Sequence, residues 1–345
     1  TTLPARKGAI GRLDASQRLR RRLEDLLRDR GLDECIAYSF TSPAALEGLR
    51  LGDVSVLRLE NPLSEHGSVM RPLLLPGLLD AARHNAAHGR PQLALFESAH
   101  VYRPAEQLDG AGGAPPRGHR PALERHHLAA LMTRAAPGGW RSEARPADFF
   151  SARALLEGVL EAAGLPWWAE EGGRPFLHPG RAASIIAGDR YSSPPANRRF
   201  APDERKIGWL GELHPLVTRA WDLPDPVAAF ELDVEAVTEL GAASPTTYRD
   251  VTSFPAVLQD IAVVVAEELA AEQVIEAVRA GGGPLLQRVE IFDLYRGEQL
   301  DEGHKSLALR LEFRAPDRTL TDDEVTERRG AIERHLAELG GKLRA

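Results

Sequence analysis

The residues able to do chemistry are few and scattered. His84 and His88 stand four apart in a stretch with helical spacing, so their imidazoles fall on one face and are compatible with a metal pair. A third ligand would have to be His66, His100 or a carboxylate. Solvated histidines are the simpler reading, and no metal site is expected. Gly281-Gly282-Gly283 could cradle a phosphate only by opening a helix; here it closes one, so it reads as a helix stop and turn. His178 and His214 each precede proline in a turn and read as structural. Arg71 and Glu97 lie near the two ends of a helix-to-strand unit and could pair inside the fold, a leftover substrate role being the weaker alternative. Cys35, in an apolar run, is most simply a small core residue. No residue is assigned a catalytic role.

Composition narrows the class further. A chain of 345 residues exceeds one typical core, so two or three domains are expected. Its 43% hydrophobic and 27% charged content is that of an ordinary globular protein. No apolar run reaches the ~18 residues of a membrane span. The N-terminal TTLPARKGAIGR lacks the apolar centre of a signal peptide. One cysteine rules out an internal disulfide and a cysteine-only metal cage, and fits a reducing cytoplasm. A net charge of −7 argues against a strongly basic nucleic-acid module, while leaving room for a local positive face.

The elements that would position those residues begin with a helix capped by Asp14 or Ser16 and running to Arg30. Leu19, Leu23, Leu26 and Leu27 form its apolar stripe, and Gly31 stops it. Glu34 to Phe40 reads as a strand. Between Leu59 and Arg103 come the turn dipeptide Asn61-Pro62, a helix begun by Pro76 with Leu78, Leu79, Ala82 and Ala86 at helical spacing, a stop at Gly89 and Pro91, and the strand-like LALFESAHVY.

The same stretch carries a resemblance. NPLS, then VMRP with LLPGLL, then Asn85, LFE and VY are similar, in order, to the catalytic-like domain of the bacterial phenylalanyl-tRNA synthetase beta subunit. The opening Thr-Thr-Leu-Pro resembles the TLP that follows the small domain preceding it in that family, so a C-terminal portion is expected. On that expectation the family's oligonucleotide-fold, editing and helix-turn-helix-like domains, and the magnesium-binding carboxylates of the last, are absent. The resemblance implies that the first helix and strand form the first class II synthetase motif, which places Leu19, Leu23 and Leu27 at a subunit interface.

Residues 104–123, rich in Pro, Gly and Ala, read as a mobile loop between strands. His126 to Met132 is the next strand, and Ala152 to Ala163 is an amphipathic helix with Leu155, Leu156, Val159 and Leu160 inward and Gly164 as its cap. The adjacent histidines, Trp140 and Asp148-Phe-Phe keep the resemblance going. HPGRAAS at 178–184 and IGWLGELHP at 207–215 are Gly-punctuated strand pieces, and Ala229 to Val234 is a closing strand. Thr238 to Thr247, small residues with Pro245, reads as a linker, its core being 241–247.

From Tyr248 the order becomes strand, helix, strand, strand, helix, strand, at 259–266, 270–280, 286–295, 305–314, 321–339 and 342–344. That is the split βαβ, ferredoxin-like plan, with both helices on one face of a four-stranded antiparallel sheet and the other face open. Thr321 and Glu324 form a capping box. Period two points Leu307, Leu309, Leu311 and Phe313 to the helices and Ser306, Ala308, Arg310 and Glu312 to the open side. Phe292 and Leu294 read as the inward pair, leaving Asp293 and Tyr295 outward; Val289 and Ile291 have opposite parity, which predicts a bulge near Ile291. An outward tyrosine above small neighbours is a stacking platform for an unpaired base.

Phe254-Pro255, Gln259-Asp260, FDLYRG at 292–297, HKSLA at 304–308 and TLTD at 319–322 resemble the ferredoxin-fold anticodon-binding domain of the same synthetase. The overall expectation is therefore an α+β chain. A class II synthetase-like antiparallel sheet with helices occupies 1–240, and a ferredoxin-like βαββαβ domain occupies 248–345. The resemblance implies a role as non-catalytic scaffold for the alpha subunit in an alpha2-beta2 heterotetramer in the cytoplasm. It implies contact with the tRNA(Phe) anticodon through Tyr295, Asp293, Ser306 and Arg310. ATP and Mg2+ would serve the holoenzyme, with neither bound by this chain. The ATP-holding parts of a class II enzyme are missing: FESAHVYR keeps the second motif's framework without an Arg-x-Glu, and no Gly-rich strand ending in arginine follows. A self-sufficient single-chain enzyme is argued against on that ground. A stand-alone RNA- or protein-docking module remains the alternative. From Tyr248 on, 13 Lys plus Arg face 19 Asp plus Glu, a net of −6, so this domain alone is expected to bind RNA weakly.

Overall fold

The computed structural model describes residues 11–104, 122–135, 145–188, 205–242, 254–297 and 299–344. The predicted loop at 105–121, Trp140, the Thr1 to Pro4 segment and most of the predicted linker lie outside the described residues. The chain divides into two compact units, Thr1–Thr246 and Thr247–Ala345.

In the first unit Asp14 caps α1 (Ala15–Asp29) in a reciprocal capping box with Gln17, and Gly31 follows with φ 89°. A seven-stranded sheet collects β1 (Asp33–Glu34), β4 (Leu93–Arg103), β5 (Leu123–Thr133), β9 (Val227–Asp233), β8 (Arg205–Leu213), β7 (Leu177–Ala187) and β6 (Trp167–Glu171) in that spatial order. β1 pairs in parallel with β4; every other pairing is antiparallel. The strands alternate in burial. Phe96, Leu128, Ala130, Leu210, Phe230 and Leu232 meet α1, α4 (Phe149–Ala163) and α6 (Val234–Ala242) on one face. Leu95, Val101, Ala129, Leu131, Trp209 and Ala229 meet α3 (Leu75–Ala87) and the chain around it on the other.

Two expectations change. Glu34 to Phe40 is not one strand: β1 ends at Glu34, and β2 (Phe40–Thr41) pairs with β3 (Val69–Met70) in a separate two-stranded sheet. The backbone between them is drawn off by distant partners, the Ala37 amide donating to Glu97 and the Ser39 carbonyl accepting from the Arg71 amide. The chain also does not enter a linker at Thr238, because α6 continues to Ala242. β6 and the short helices α2 (Pro43–Gly48) and α5 (Pro215–Ala220) were not anticipated.

The second unit follows the βαββαβ order with β10 (Val257–Ala266), α7 (Ala271–Gly282), β11 (Leu286–Tyr295), β12 (His304–Phe313), α8 (Asp322–Glu338) and β13 (Lys342–Arg344). The sheet order is β11-β12-β10-β13, antiparallel throughout. Leu307, Leu309, Leu311 and Phe313 are buried against Val274, Val278, Val325, Ile332 and Leu336 of the helices. The triple glycine has a packing reason. A Cβ on Gly281 would stand 2.5 Å from the Ile332 Cα, so the backbones of α7 and α8 meet there, and Gly283 turns the chain with φ 63°.

Candidate functional site

The open face of the second sheet is set out by its register. One row runs Tyr295, Ser306, Val264, Lys342, and the next runs Asp293, Ala308, Ala262, Arg344. Small residues thus fill the middle, with a ring and charges at the margins. The Arg344 guanidinium lies 5.9 Å from the Tyr295 ring centroid, and its Nη2 donates to Gln299 at 2.6 Å. Gly297 closes over the ring: a Cβ there would stand 2.6 Å from the Tyr295 Cζ.

The predicted bulge falls between Ile291 and Asp293, and it corrects the inward pair. Val289 and Ile291 oppose Leu311 and Leu309 and face the core. Phe292 is the extra residue; it is half exposed and lies under Arg310 at 5.1 Å from ring centroid to guanidinium carbon. Leu294 opposes core-facing Leu307, yet is 44% exposed at the end of the edge strand.

Of the four residues expected on this face, Tyr295, Asp293 and Ser306 come together. Tyr295 and Asp293 are exposed, whereas Ser306 is buried between its neighbours, so its expected open position holds in register but not in access. Arg310 stands apart, locked to Asp260 by two hydrogen bonds of 2.9 and 2.8 Å, and that pairing holds the Asp260 carboxyl below its ordinary pKa. Two cations near Tyr295 that the sequence reading missed are Lys342 and Arg344, on a three-residue strand too short to show a period.

In the first unit Arg71 and Glu97 do pair, at 2.7 Å, and both are almost fully buried. Arg71 Nε also donates to the His100 carbonyl at 2.9 Å. Burial pushes the Glu97 carboxyl above its ordinary pKa, against the pull of Arg71. A second buried carboxylate, Glu231, escaped the sequence reading. It accepts from His127 Nδ1 at 2.6 Å and from the Leu74 amide at 3.1 Å. Nothing in its FELD context marks it as buried, since its partner lies 104 residues earlier. Across the sheet Glu97, Ala129, Glu231 and Trp209 stand in one row. The two carboxylates therefore hold the 71–74 segment from the same side.

His84 and His88 stack with centroids 4.3 Å apart, and His88 Nδ1 bonds the His84 carbonyl, an arrangement of a helix end. Among the described residues, no group of three His, Cys, Asp or Glu is arranged to hold a metal. His178 and His214 each accept from a backbone amide two residues on, Gly180 and Leu216. His126 is buried between Arg20 Nη1 at 3.2 Å and Ser98 Oγ at 2.9 Å, and burial with the Arg20 charge lowers its pKa to about 4.

The interface expectation for α1 meets a physical obstacle. Leu23 and Leu27 are buried in the chain's own core and Leu19 packs at its edge, so none offers a free apolar face. The exposed large apolar residues of this unit, among those described, are instead Ile36 at 91%, Tyr38 at 86%, Phe40, Leu63, Phe150 and Leu216. They include the segment released from strand pairing. A cavity of about 500 Å³ beside that segment is lined by Tyr38, Phe40, His66, Asp80, Arg83 and Trp221.

Comparison with known proteins matches the two units separately. The phenylalanyl tRNA synthetase beta chain CLM domain family matches residues 1–234, and the ferredoxin-fold anticodon binding domain family matches 252–344. A phenylalanine–tRNA ligase beta subunit from Symbiobacterium thermophilum is 39% identical over 91% of the chain and 33% of its own length. The one from Moorella thermoacetica is 39% identical over 99% of the chain and 40% of its own length. The chain thus spans between a third and two-fifths of these relatives. A solved pyrrolysyl tRNA synthetase from Desulfitobacterium hafniense overlays with a TM-score of 0.45 at 16% identity, covering 67% of this chain and 68% of that one.

Proposed function

The chain belongs to the phenylalanyl-tRNA synthetase beta-chain family, and on that footing we propose that it works as the non-catalytic portion of a phenylalanine–tRNA ligase beta subunit. Its first unit docks the alpha subunit and its second contacts the tRNA(Phe) anticodon. ATP and Mg2+ are handled by alpha, in an alpha2-beta2 assembly working where tRNA is charged, in the cytoplasm. The observation that carries the reading is the open face of the second sheet. Within the segment matched by the anticodon-binding family lies an exposed tyrosine flanked by Arg344, with Asp293 beside it over small neighbours. Tyr295 is the stacking residue, Asp293 the acceptor for a base edge, and Arg344 supplies charge at the ring. Arg310, neutralised by Asp260, serves mainly to hold Phe292.

The surface assigned to alpha is the exposed run Ile36, Tyr38 and Phe40 rather than the buried leucines of α1. The lack of an Arg-x-Glu in the FESAHVYR segment, and of a Gly-rich strand ending in arginine after it, supports placing the chemistry on alpha.

The test is co-purification with the cognate alpha subunit, followed by phenylalanine-dependent ATP–pyrophosphate exchange and tRNA charging. The expected result is a complex that exchanges only with alpha present and that is lost in Ile36→Asp. Tyr295→Ala should weaken tRNA use by ~1–3 kcal/mol, the scale of one base–aromatic stack. Exchange by this chain alone would overturn the non-catalytic reading. An unchanged Michaelis constant for tRNA in Tyr295→Ala would remove that residue from the interface. Failure to bind alpha would favour a docking module with another partner.

A further inference from the structure

A second concavity, of about 400 Å³, opens on the first unit's sheet and is lined by Arg103, Arg174, Lys206, His127, Glu231 and Asp233. That volume is within the range of small-molecule sites. The three long cations come from separate places in the chain, the end of β4, the turn before β7 and the start of β8. None of the three makes an ion pair or side-chain hydrogen bond among the described residues. The carboxylates beside them are already engaged: Glu231 by His127 and the Leu74 amide, Asp233 by Arg125 at 2.8 Å. The cations feel one another. Arg174 is pushed below its ordinary pKa by desolvation and then by Arg103, and Lys206 by desolvation and then by Arg174. All three are solvent-exposed, and Glu231 and Asp233 are the opposite charges at the cavity, so the cations are in excess by one and favour an anion among them.

We propose that this cavity is a binding site for a small phosphorylated ligand, whose phosphate oxygens are held by Arg103, Arg174 and Lys206. Arginine forks match phosphate oxygens two at a time, and lysine adds a point charge. The site is closed below by Trp209 and Phe176, which pack edge to face at 4.9 Å. It therefore receives a compact anion rather than an extended chain.

The experiment titrates the 345-residue chain with inorganic pyrophosphate, read by 31P line broadening and calorimetry at low salt. The expected result is saturable binding that weakens at least about tenfold in Arg174→Gln and in Lys206→Gln, the scale of losing one charged hydrogen bond. It should be unchanged in Arg219→Gln, which removes a positive charge elsewhere on the same unit. The urea midpoint followed by tryptophan fluorescence, with circular dichroism, verifies that each variant is folded, and Lys206→Arg should keep most of the binding. No saturation at millimolar pyrophosphate, or equal binding by wild type and both Gln variants, would overturn the proposal. So would a single-stranded RNA oligomer that binds through these residues where pyrophosphate does not.

Discussion

Replacing Arg71 with methionine tests the buried framework most sharply. The guanidinium makes three contacts that nothing nearby can replace: Glu97 Oε1 at 2.7 Å, the His100 carbonyl at 2.9 Å and the Tyr38 carbonyl at 3.3 Å. Methionine fills much of the volume but leaves Glu97 with only the Ala37 amide at 3.1 Å; its Oε2 already lacks a partner. Breaking one side of a buried ion pair costs ~3–5 kcal/mol because the other charge remains buried. Against a typical total of ~5–15 kcal/mol, that is enough to leave the first unit marginal. All five tryptophans lie in the first unit, so their fluorescence during urea unfolding reports that unit alone.

The pH dependence fixes the cause. The folded Glu97 pKa lies above its ordinary value of 4.5, so the folded state holds this proton more tightly than the unfolded one. The stability this proton confers is complete below 4.5 and is lost as pH rises through the folded pKa. Without Arg71 that pKa climbs further. The deficit of Arg71→Met against wild type should therefore be largest near neutral pH and shrink on acidification toward 4.5. Adding Glu97→Met should recover part of the loss, because two apolar side chains leave no buried charge. A loss under ~1 kcal/mol at neutral pH, well short of the cost of a broken buried pair, would refute the reasoning. A deficit that grows on acidification would do so too.

Two further outcomes follow from the same geometry. Gly297→Ala would drive its Cβ into the Tyr295 ring at 2.6 Å from Cζ, so the ring should swing off the face. tRNA affinity should then fall toward that of Tyr295→Ala with unfolding unchanged, and an unmoved Tyr295 ring resonance would sink the idea. His126, with its pKa lowered to about 4, stays neutral where the unfolded chain begins to bind a proton near 6.5. Its contribution is present above 6.5 and is lost as pH falls toward 4, so the tryptophan-detected urea midpoint should drop over that window. The drop should be shallower in His126→Gln; equal slopes would exclude His126 as the source.

The order of elements was legible because each carries its own local signal. Asp14, Thr321 with Glu324, Gly31 and Gly164 are all cap or stop residues that act within a turn of the chain. The bulge was legible too, as a clash of parity between Val289–Ile291 and the pair Phe292–Leu294, all of them apolar. Which residue it would eject was not, because that depends on how β12 pairs. Ile291 opposes Leu309 and Asp293 opposes Ala308, so Phe292 has no opposite number and turns out. The broken strand at 35–39 failed for a related reason. Its β-propensity was read correctly, but Glu97 and Arg71, tens of residues away, take the backbone groups a strand would have used.

That competition also explains why the segment 70–77 needs the residue types it has. Arg71 reaches down to Glu97, and the Leu74 amide reaches down to Glu231. Both carboxylates stand in one row of the sheet, separated only by Ala129. MRPLLLPG is thus tied at two points to strands that lie apart in sequence. Pro76 then sits in the first turn of α3 and Gly77 lets the helix lie close, since a Cβ there would sit 2.6 Å from that of Ala37. Losing either carboxylate leaves a buried donor unsatisfied, at ~1–3 kcal/mol or more. Folding alone therefore demands these residue types in this order, whether or not a substrate is ever bound. The motif consequently reports the fold, and the proposed contacts rest on side chains that remain exposed, Tyr295 and Arg344 on one unit and Ile36 and Tyr38 on the other.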